Sequence, residues 1–159
     1  MSSAEALGRT ALSTLQDDDV DGFMEKCTVH KFSRSELIKF FEAAAKAGGG
    51  SESFDSTEFA DIWFGGEKSK EEAELKERWR NTIEQGMNAG LNWKKAEFEY
   101  IDTSSFETKK EMPGYGGGNL YIIISESGKR WRIQLNENAL TPGVGYVNID
   151  GVRWRGELK

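Results

Sequence analysis

The chain has 159 residues, 37% of them hydrophobic, with nine Phe and five Trp and a formal net charge of −6 at pH 7. That length and aromatic content exclude global disorder and allow a sizeable core. The acidic balance excludes a general binder of nucleic acid or anionic membrane, which needs clustered Lys and Arg, and no stretch approaches the ~20 apolar residues of a membrane-spanning helix.

Ala4 to Gln16 reads as a helix, with Leu7, Ala11, Leu12 and Leu15 on one face. The same segment carries an early acid and lacks a basic-then-apolar leader, so a cytoplasmic protein is expected; an exported protein stripped of its leader would read the same way. In DDDVDGFMEKC, Asp18 or Asp19 caps a second, short helix that turns Val20, Phe23 and Met24 inward. Cys27 is the only cysteine and His30 the only histidine, so no internal disulfide forms and a Cys/His zinc site lacks ligands. Cys27 is expected as a small buried apolar residue and His30 as a loop residue, with a Cys27–His30 dyad as the sharper alternative.

Ser33 to Lys46 is a helix opened by the capping box Ser33-x-x-Glu36, striped by Leu37, Phe40, Phe41, Ala44 and Ala45, and closed by Gly48-Gly49-Gly50. Residues 48 to 53 are expected as a flexible connection. Phe54 to Phe64 fits a helix better than a strand, since Phe59, Ile62 and Trp63 suit a helical turn. Ser69 to Ala89 is the longest helix. It has a second capping box, Ser69-x-x-Glu72, and Leu75, Trp79, Ile83 and Met87 recur every four residues. Gly90 before Leu91 reads as its left-handed cap.

From Trp93 onward the period falls to two. Ala96 to Thr103 reads as a strand alternating Phe98 and Tyr100 against Glu97 and Glu99. Residues 105 to 118 read as a long polar, glycine-rich connection. Asn119 to Leu135 reads as a β-hairpin that turns at Ser127-Gly128, with Trp131, Ile133 and Leu135 on one face and Arg130, Arg132 and Gln134 on the other. Residues 136 to 143 read as a loop. Val144 to Glu157 reads as one bent strand or a small hairpin turning at Asp150-Gly151, with Val152 and Trp154 opposite Arg153 and Arg155.

Helices first and antiparallel strands afterwards define an α+β class, a single domain over residues 1–159 with N-terminal helices packed on one face of a curved C-terminal antiparallel sheet. Burial of Trp131, Ile133, Leu135 and Trp154 contributes about 1.5–3 kcal/mol each, comparable in sum to the ~5–15 kcal/mol stability of a domain. That face must be covered, and Ser33–Lys46 and Ser69–Ala89 are the expected cover.

ALSTLQDDDVDGFMEKC resembles the junction of the first two helices in nuclear-transport-factor-2-like proteins of the cystatin-like α+β superfamily, and YVNIDGVRW resembles their last strands, where an Asp-Gly precedes a Trp. The resemblance covers the element order of most of the chain. It departs at residues 51 to 66, where the family usually places a hairpin before its long third helix. It implies a curved sheet wrapped on helices, often around an apolar pocket. Members include isomerases, dehydratases, cyclases and non-catalytic binding domains, and the fold does not choose among them. No catalytic residue is carried over.

In such a pocket the candidate ligand-binding residues are Tyr100, Asp102, Tyr121, Trp131, Tyr146 and Trp154. An Asp102 carboxyl in apolar surroundings would have a raised pKa and could move protons, although its strand-end position makes exposure the default. Neither Gly-x-Ser-x-Gly nor His-Glu-x-x-His occurs. Asp17-x-Asp19-x-Asp21-Gly22 matches the first half of an EF-hand loop, but Thr28 stands where a bidentate Glu belongs, so an acidic helix junction without metal is expected. Gly114-Tyr115-Gly116-Gly117-Gly118 lacks a Gly-Lys-Ser/Thr ending and precedes a strand, so it reads as a hairpin tip.

Arg130, Arg132, Arg153 and Arg155 interleave with Trp131 and Trp154, and strand geometry sends the two residue types to opposite faces. A solvated Arg face paired with Glu97, Glu99 and Glu126 is expected; the functional alternative is a stripe that binds an anion or a protein partner. The functional expectation is a non-catalytic domain, without cofactor, that binds a small apolar ligand or a protein partner. The alternatives are a cofactor-free pocket enzyme of the isomerase or dehydratase type, and an acidic inhibitor- or immunity-like interaction domain without a pocket. A homodimer is compatible with each. A deep pocket with a buried Asp would favour the enzyme, the same pocket without a titratable group would favour ligand binding, and a filled core would favour partner binding.

Overall fold

The structure is a computed structural model that describes residues 1–47 and 55–159. Among the described residues five α-helices, α1 (Ala4–Gln16), α2 (Val20–Cys27), α3 (Arg34–Ala47), α4 (Ser56–Ile62) and α5 (Lys68–Asn88), precede the strands β1 (Glu97–Asp102), β2 (Phe106–Thr108), β3 (Gly116–Glu126), β4 (Lys129–Thr141), β5 (Gly145–Asn148) and β6 (Val152–Glu157). The strands form one curled, six-stranded antiparallel sheet, so the α+β class is observed.

Local side-chain chemistry starts most helices. Asp19 accepts from the Gly22 N–H at 2.9 Å and caps α2. The Ser33–Glu36 box forms with both of its hydrogen bonds, at 3.0 and 3.3 Å. Asp55 caps α4, which takes residues 56 to 62 for a helix. The connection expected over 48–53, together with Gly48-Gly49-Gly50 and Phe54, lies outside the described residues. The second box, Ser69–Glu72, does not form. A π-type turn follows α4 and Gly66 (φ +143°) breaks the helix there, so α5 starts anew with Glu67 at its cap position, and Ser69 already lies inside the first turn, where it cannot serve as the cap. At the other end Leu91 N–H reaches the Gly86 carbonyl at 2.9 Å and Gly90 N–H reaches Met87 at 3.0 Å, the paired bonds of a left-handed cap at Gly90 (φ +96°).

Met87, expected in the apolar stripe, is 62% exposed. A strict four-residue repeat drifts about 40° per step around a helix of 3.6 residues per turn. Leu75 and Trp79 are buried, Ile83 is half-buried, and Met87 has rotated into solvent.

The hairpin forms as expected, with left-handed Ser127 (φ +54°) and Gly128 (φ +76°) giving the turn that matches strand twist. Its strands are longer than the sequence indicated. Gly116–Gly118 already belong to β3 and pair with β2, and β4 continues through the expected loop to Thr141. β5 and β6 pair not with each other but with successive parts of β4, so Val144 to Glu157 is one edge strand interrupted at residues 149–151. In β1, Phe98 pairs with Ile124 and Tyr100 with Ile123, which leaves Glu99 as a bulge. The alternation resets there: Phe98 and Ile101 face α1, where an added Cβ on Gly8 would lie 3.2 and 3.0 Å from them, while Tyr100 and Asp102 face away.

The Trp131 face is covered by α1 and α5, not by α3. Leu7, Leu15, Leu75 and Trp79 join Leu120, Ile122, Trp131 and Ile133 in the main core. α3 lies over the far half of β4, where Phe32, Leu37, Phe40 and Trp63 meet Ala139 and Val147 in a second, smaller cluster. No helix among the described residues is long and apolar enough to cross a membrane.

Candidate functional site

Side chains occupy the space between sheet and helices. Trp131 is 1% exposed, and Phe23, Leu7 and Leu120 are fully covered. The six residues expected to share a pocket divide between the two faces of the sheet. Trp131, Tyr146 and Trp154 belong to the core side, with Tyr146 against Phe106 at 5.4 Å and Trp154 edge-on to Trp93 at 6.0 Å. Tyr100, Asp102 and Tyr121 lie on the opposite face with the arginines. The Glu99 bulge turns Tyr100 outward to 45% exposure, and Tyr121 alternates with core-facing Leu120 and Ile122.

The outer face has two parts. In the first, the Arg132 guanidinium sits 4.7 Å over the Tyr121 ring, a cation–π contact, and Ile123 between the strands is only 1% exposed. Asp102, opposite Tyr121 in register, accepts from the Ser104 N–H at 2.9 Å. Those Ser104 bonds, with Arg132 nearby, hold its carboxyl below the usual carboxylate range, the reverse of what a proton-moving acid needs.

In the second part a chain of polar contacts crosses β6 and β4 to α5. Arg155 Nε donates to Gln134 Oε1 at 2.5 Å, Gln134 Nε2 to Asn136 Oδ1 at 2.7 Å, and Asn136 Nδ2 to Asp150 Oδ2 at 2.7 Å. Asp150 also accepts from Arg78 through its carboxylate and its carbonyl, both at 3.1 Å, and lies 3.8 Å from Arg153. Between α5 and β6 a cleft of about 230 Å³ is lined by Arg78, Arg153 and Arg155 with Asn81 and Gln85. Its lining includes three guanidiniums and no carboxylate; Asp150 beside it offsets part of the charge on Arg78 and Arg153, and the remaining positive charge favours an anion.

Of the expected carboxylate partners, Glu99 pairs with Arg130 at 3.5 Å, whereas Glu126 turns instead to Ser127 and the Asn92 N–H. Gln134, Asn136, Asp150 and Arg78 were not legible as site residues. The one available signal was the pair of polar clusters Asn136-Glu137-Asn138 and Asn148-Ile149-Asp150, which interrupt otherwise apolar strand segments.

The other motifs resolve into structural roles. Asp17 pairs with Lys94, Asp18 accepts from Trp79 Nε1, Asp19 caps α2 and Asp21 lies near Lys76, so the acidic junction disperses its carboxylates to separate partners. Gly114–Gly118 splits, its last three glycines serving as the strand that β2 pairs with. Burial pushes the Cys27 thiol up to about 12, which leaves no thiolate nucleophile at neutral pH. His30 sits not in a loop but in a single 3-10 turn, Val29–Lys31; it is 7% exposed, its ring is 5.1 Å from that of Trp63, and its Nδ1 lies 3.7 Å from Glu72.

Burial pushes the His30 imidazole below its usual range, and Glu72 pulls the other way without prevailing. A folded-state pKa below the unfolded value means the unfolded chain binds the proton more readily. The stability held by neutral His30 is present above the unfolded value of about 6.5 and is lost as pH falls from there through the folded value. Urea unfolding of the wild type and His30→Gln between pH 7.5 and 5 checks this. The wild type loses more stability over that window, and equal losses in both proteins would refute the linkage.

A scan against protein-family models found no match, and searches of curated proteins and of solved structures found no significant match. The curled sheet with its covering helices is compatible with the nuclear-transport-factor-2-like architecture.

Proposed function

We propose that this chain is a non-catalytic binding domain that takes an acidic segment of a protein partner on the outer face of its sheet. The observation that carries the reading is the gathering of Arg132, Arg153 and Arg155 on the face of β4 and β6 opposite Trp131 and Trp154, with Tyr121 beside Arg132, in a protein whose net charge is −6. A basic, aromatic-bearing patch on an acidic molecule stands out electrostatically and orients an acidic partner as well as holding it. Bidentate guanidinium–carboxylate contacts in the cleft beside α5 would supply specificity. The close packing of α1 and α5 on the Trp131 face supports this class over an enzyme with its pocket there, and the lowered pKa of Asp102 points the same way. Kinship with the nuclear-transport-factor-2-like proteins remains part of the proposal. It is supported by element order and the curled sheet, and opposed by α4 and the turn after it, which take 56–66 where that family usually places a hairpin.

Titration with a hepta-glutamate peptide bearing one tyrosine, against its lysine counterpart, tests the reading. At 50 mM salt the acidic peptide should shift amide resonances of β4 and β6, and the lysine peptide should not. The double substitution Arg132→Ala/Arg153→Ala should weaken the acidic peptide at least tenfold and barely move the melting temperature, because exposed pairs such as Arg153–Asp150 are worth about 0–1 kcal/mol. Equal binding of both peptides, or an unaffected double variant, would remove the proposal. Light scattering on the free protein identifies a second copy as the occupant if the mass doubles in the wild type and not in the double variant.

A further inference from the structure

A second concavity lies away from the arginine cleft, where α3, α4 and the start of α5 meet β4 and the 149–151 interruption. It holds about 280 Å³, and Phe40, Phe41, Phe59 and Trp63 supply its aromatic walls. Those rings support one another: Phe41 and Phe59 are edge-to-face at 4.5 Å, and Phe40 and Phe41 are 5.7 Å apart. An apolar cavity of ~150 Å³ already accepts benzene, so this one has room for a ring with a short chain.

Every ionisable group in the lining is a carboxylate: Glu71, Glu137 and Asp150. Asp150 is already engaged by Arg78 and Asn136. Glu71 and Glu137 have no cationic partner among the described ion pairs. Burial, then a side-chain hydrogen bond with Glu67, then the neighbouring acids Glu74 and Asp150 push the Glu71 carboxyl above its usual range, the signature of acids crowded together. Glu137 holds a left-handed backbone (φ +53°) in the middle of β4, a conformation that a non-glycine residue adopts at a cost and that tends to mark functional positions.

Trp63 adds an independent observation. It lines the cavity, is 8% exposed, and its Nε1–H has no hydrogen-bond partner. A buried indole donor ordinarily finds an acceptor, so an oxygen-bearing occupant would satisfy it.

We infer that this cavity binds a small hydroxyaryl-alkyl ammonium ion, with its ring among the Phe and Trp63 walls, its ammonium at Glu71 and Glu137, and its oxygen as the acceptor for Trp63. Aromatic faces and carboxylates both favour a cation, and a negatively charged analogue would meet like charge at the rim. This site meets the outer-face network only at Asp150, which lines the cavity and bonds Arg78, and it does not depend on the partner proposed there.

Three probes of nearly equal shape test it: tyramine, 4-ethylphenol without the ammonium, and 3-(4-hydroxyphenyl)propionate with a carboxylate in its place. Titration calorimetry should give tyramine a dissociation constant below about 1 mM, with the other two at least tenfold weaker. Tyramine should also move the indole Nε1–H resonance that disappears in Trp63→Phe. Glu71→Gln and Glu137→Gly should each weaken tyramine about five- to tenfold and leave 4-ethylphenol unchanged. Glycine accepts the left-handed backbone at 137, so that variant keeps the fold. No measurable tyramine binding, equal binding of the three probes, or a tyramine preference that survives both substitutions would each overturn the inference. Tighter binding of an N-acetyl-trimethyllysine amide than of tyramine would also overturn it, by making a partner's side chain the occupant.

Discussion

Trp131→Ala should lower the unfolding free energy by about 3–5 kcal/mol, the range for truncating a fully buried Trp. Trp131 is 1% exposed, is paired with Ile124 across the hairpin, and belongs to the same core cluster as the α1 and α5 residues that cover the sheet. Its removal takes away both the transferred apolar surface and the contacts of every group that lined it, and a close-packed interior relaxes only partly into the gap. Against a total of ~5–15 kcal/mol, that loss would leave a marginal fold. Urea unfolding followed by far-UV circular dichroism measures it. Trp154→Ala is the internal comparison. Trp154 sits half-buried at the sheet edge, so its truncation should cost distinctly less. If the two losses were equal, the core would not be centred where β3 and β4 place it.

Asn148→Ala should have the second largest effect, about 2–4 kcal/mol, through polar groups rather than volume. Asn148 is fully buried at the end of β5. Its Nδ2 donates to Asn138 Oδ1 at 2.9 Å and to the Asn136 carbonyl at 3.2 Å, and its Oδ1 accepts from the Gly151 N–H at 2.7 Å. Alanine would strand Asn138 Oδ1 and the Gly151 N–H in a site that water does not reach, and each such orphan costs roughly 1–3 kcal/mol. The effect reaches function, because the same bonds shape the 149–151 interruption that delivers Asp150 to Arg78. Amide exchange at Gly151 should accelerate more than at the β3–β4 hairpin. A stability loss below about 1 kcal/mol would mean that Asn148 is not the pin of this edge.

Periodicity and capping chemistry made most of the elements legible. α1, α2, α3 and the β3–β4 hairpin follow from apolar spacing, the Asp19 cap, the Ser33–Glu36 box and a Ser127-Gly128 turn, each a matter of a few neighbouring residues. The order of helices before strands was enough for the α+β class. The same local rules put Trp131 inside and Arg132 on the opposite face, because a strand alternates whatever surrounds it.

The site was not legible at that range. Whether Tyr100 joins Trp131 or Arg132 depends on one extra residue, Glu99, and a bulge is a property of two strands in register, not of one strand's composition. β2 was hidden because three residues are too few to show a period and its glycine partners show none. The joining of Arg155, Gln134, Asn136, Asp150 and Arg78 needs β6, β4 and α5 side by side, which no local spacing encodes. Short-range pattern therefore sets what each segment is and which way its side chains alternate. Long-range pairing sets which helix covers the sheet, which residues share a face and where the arginine cleft and the aromatic cavity open, because those depend on burying apolar area and satisfying polar groups across the whole molecule at once.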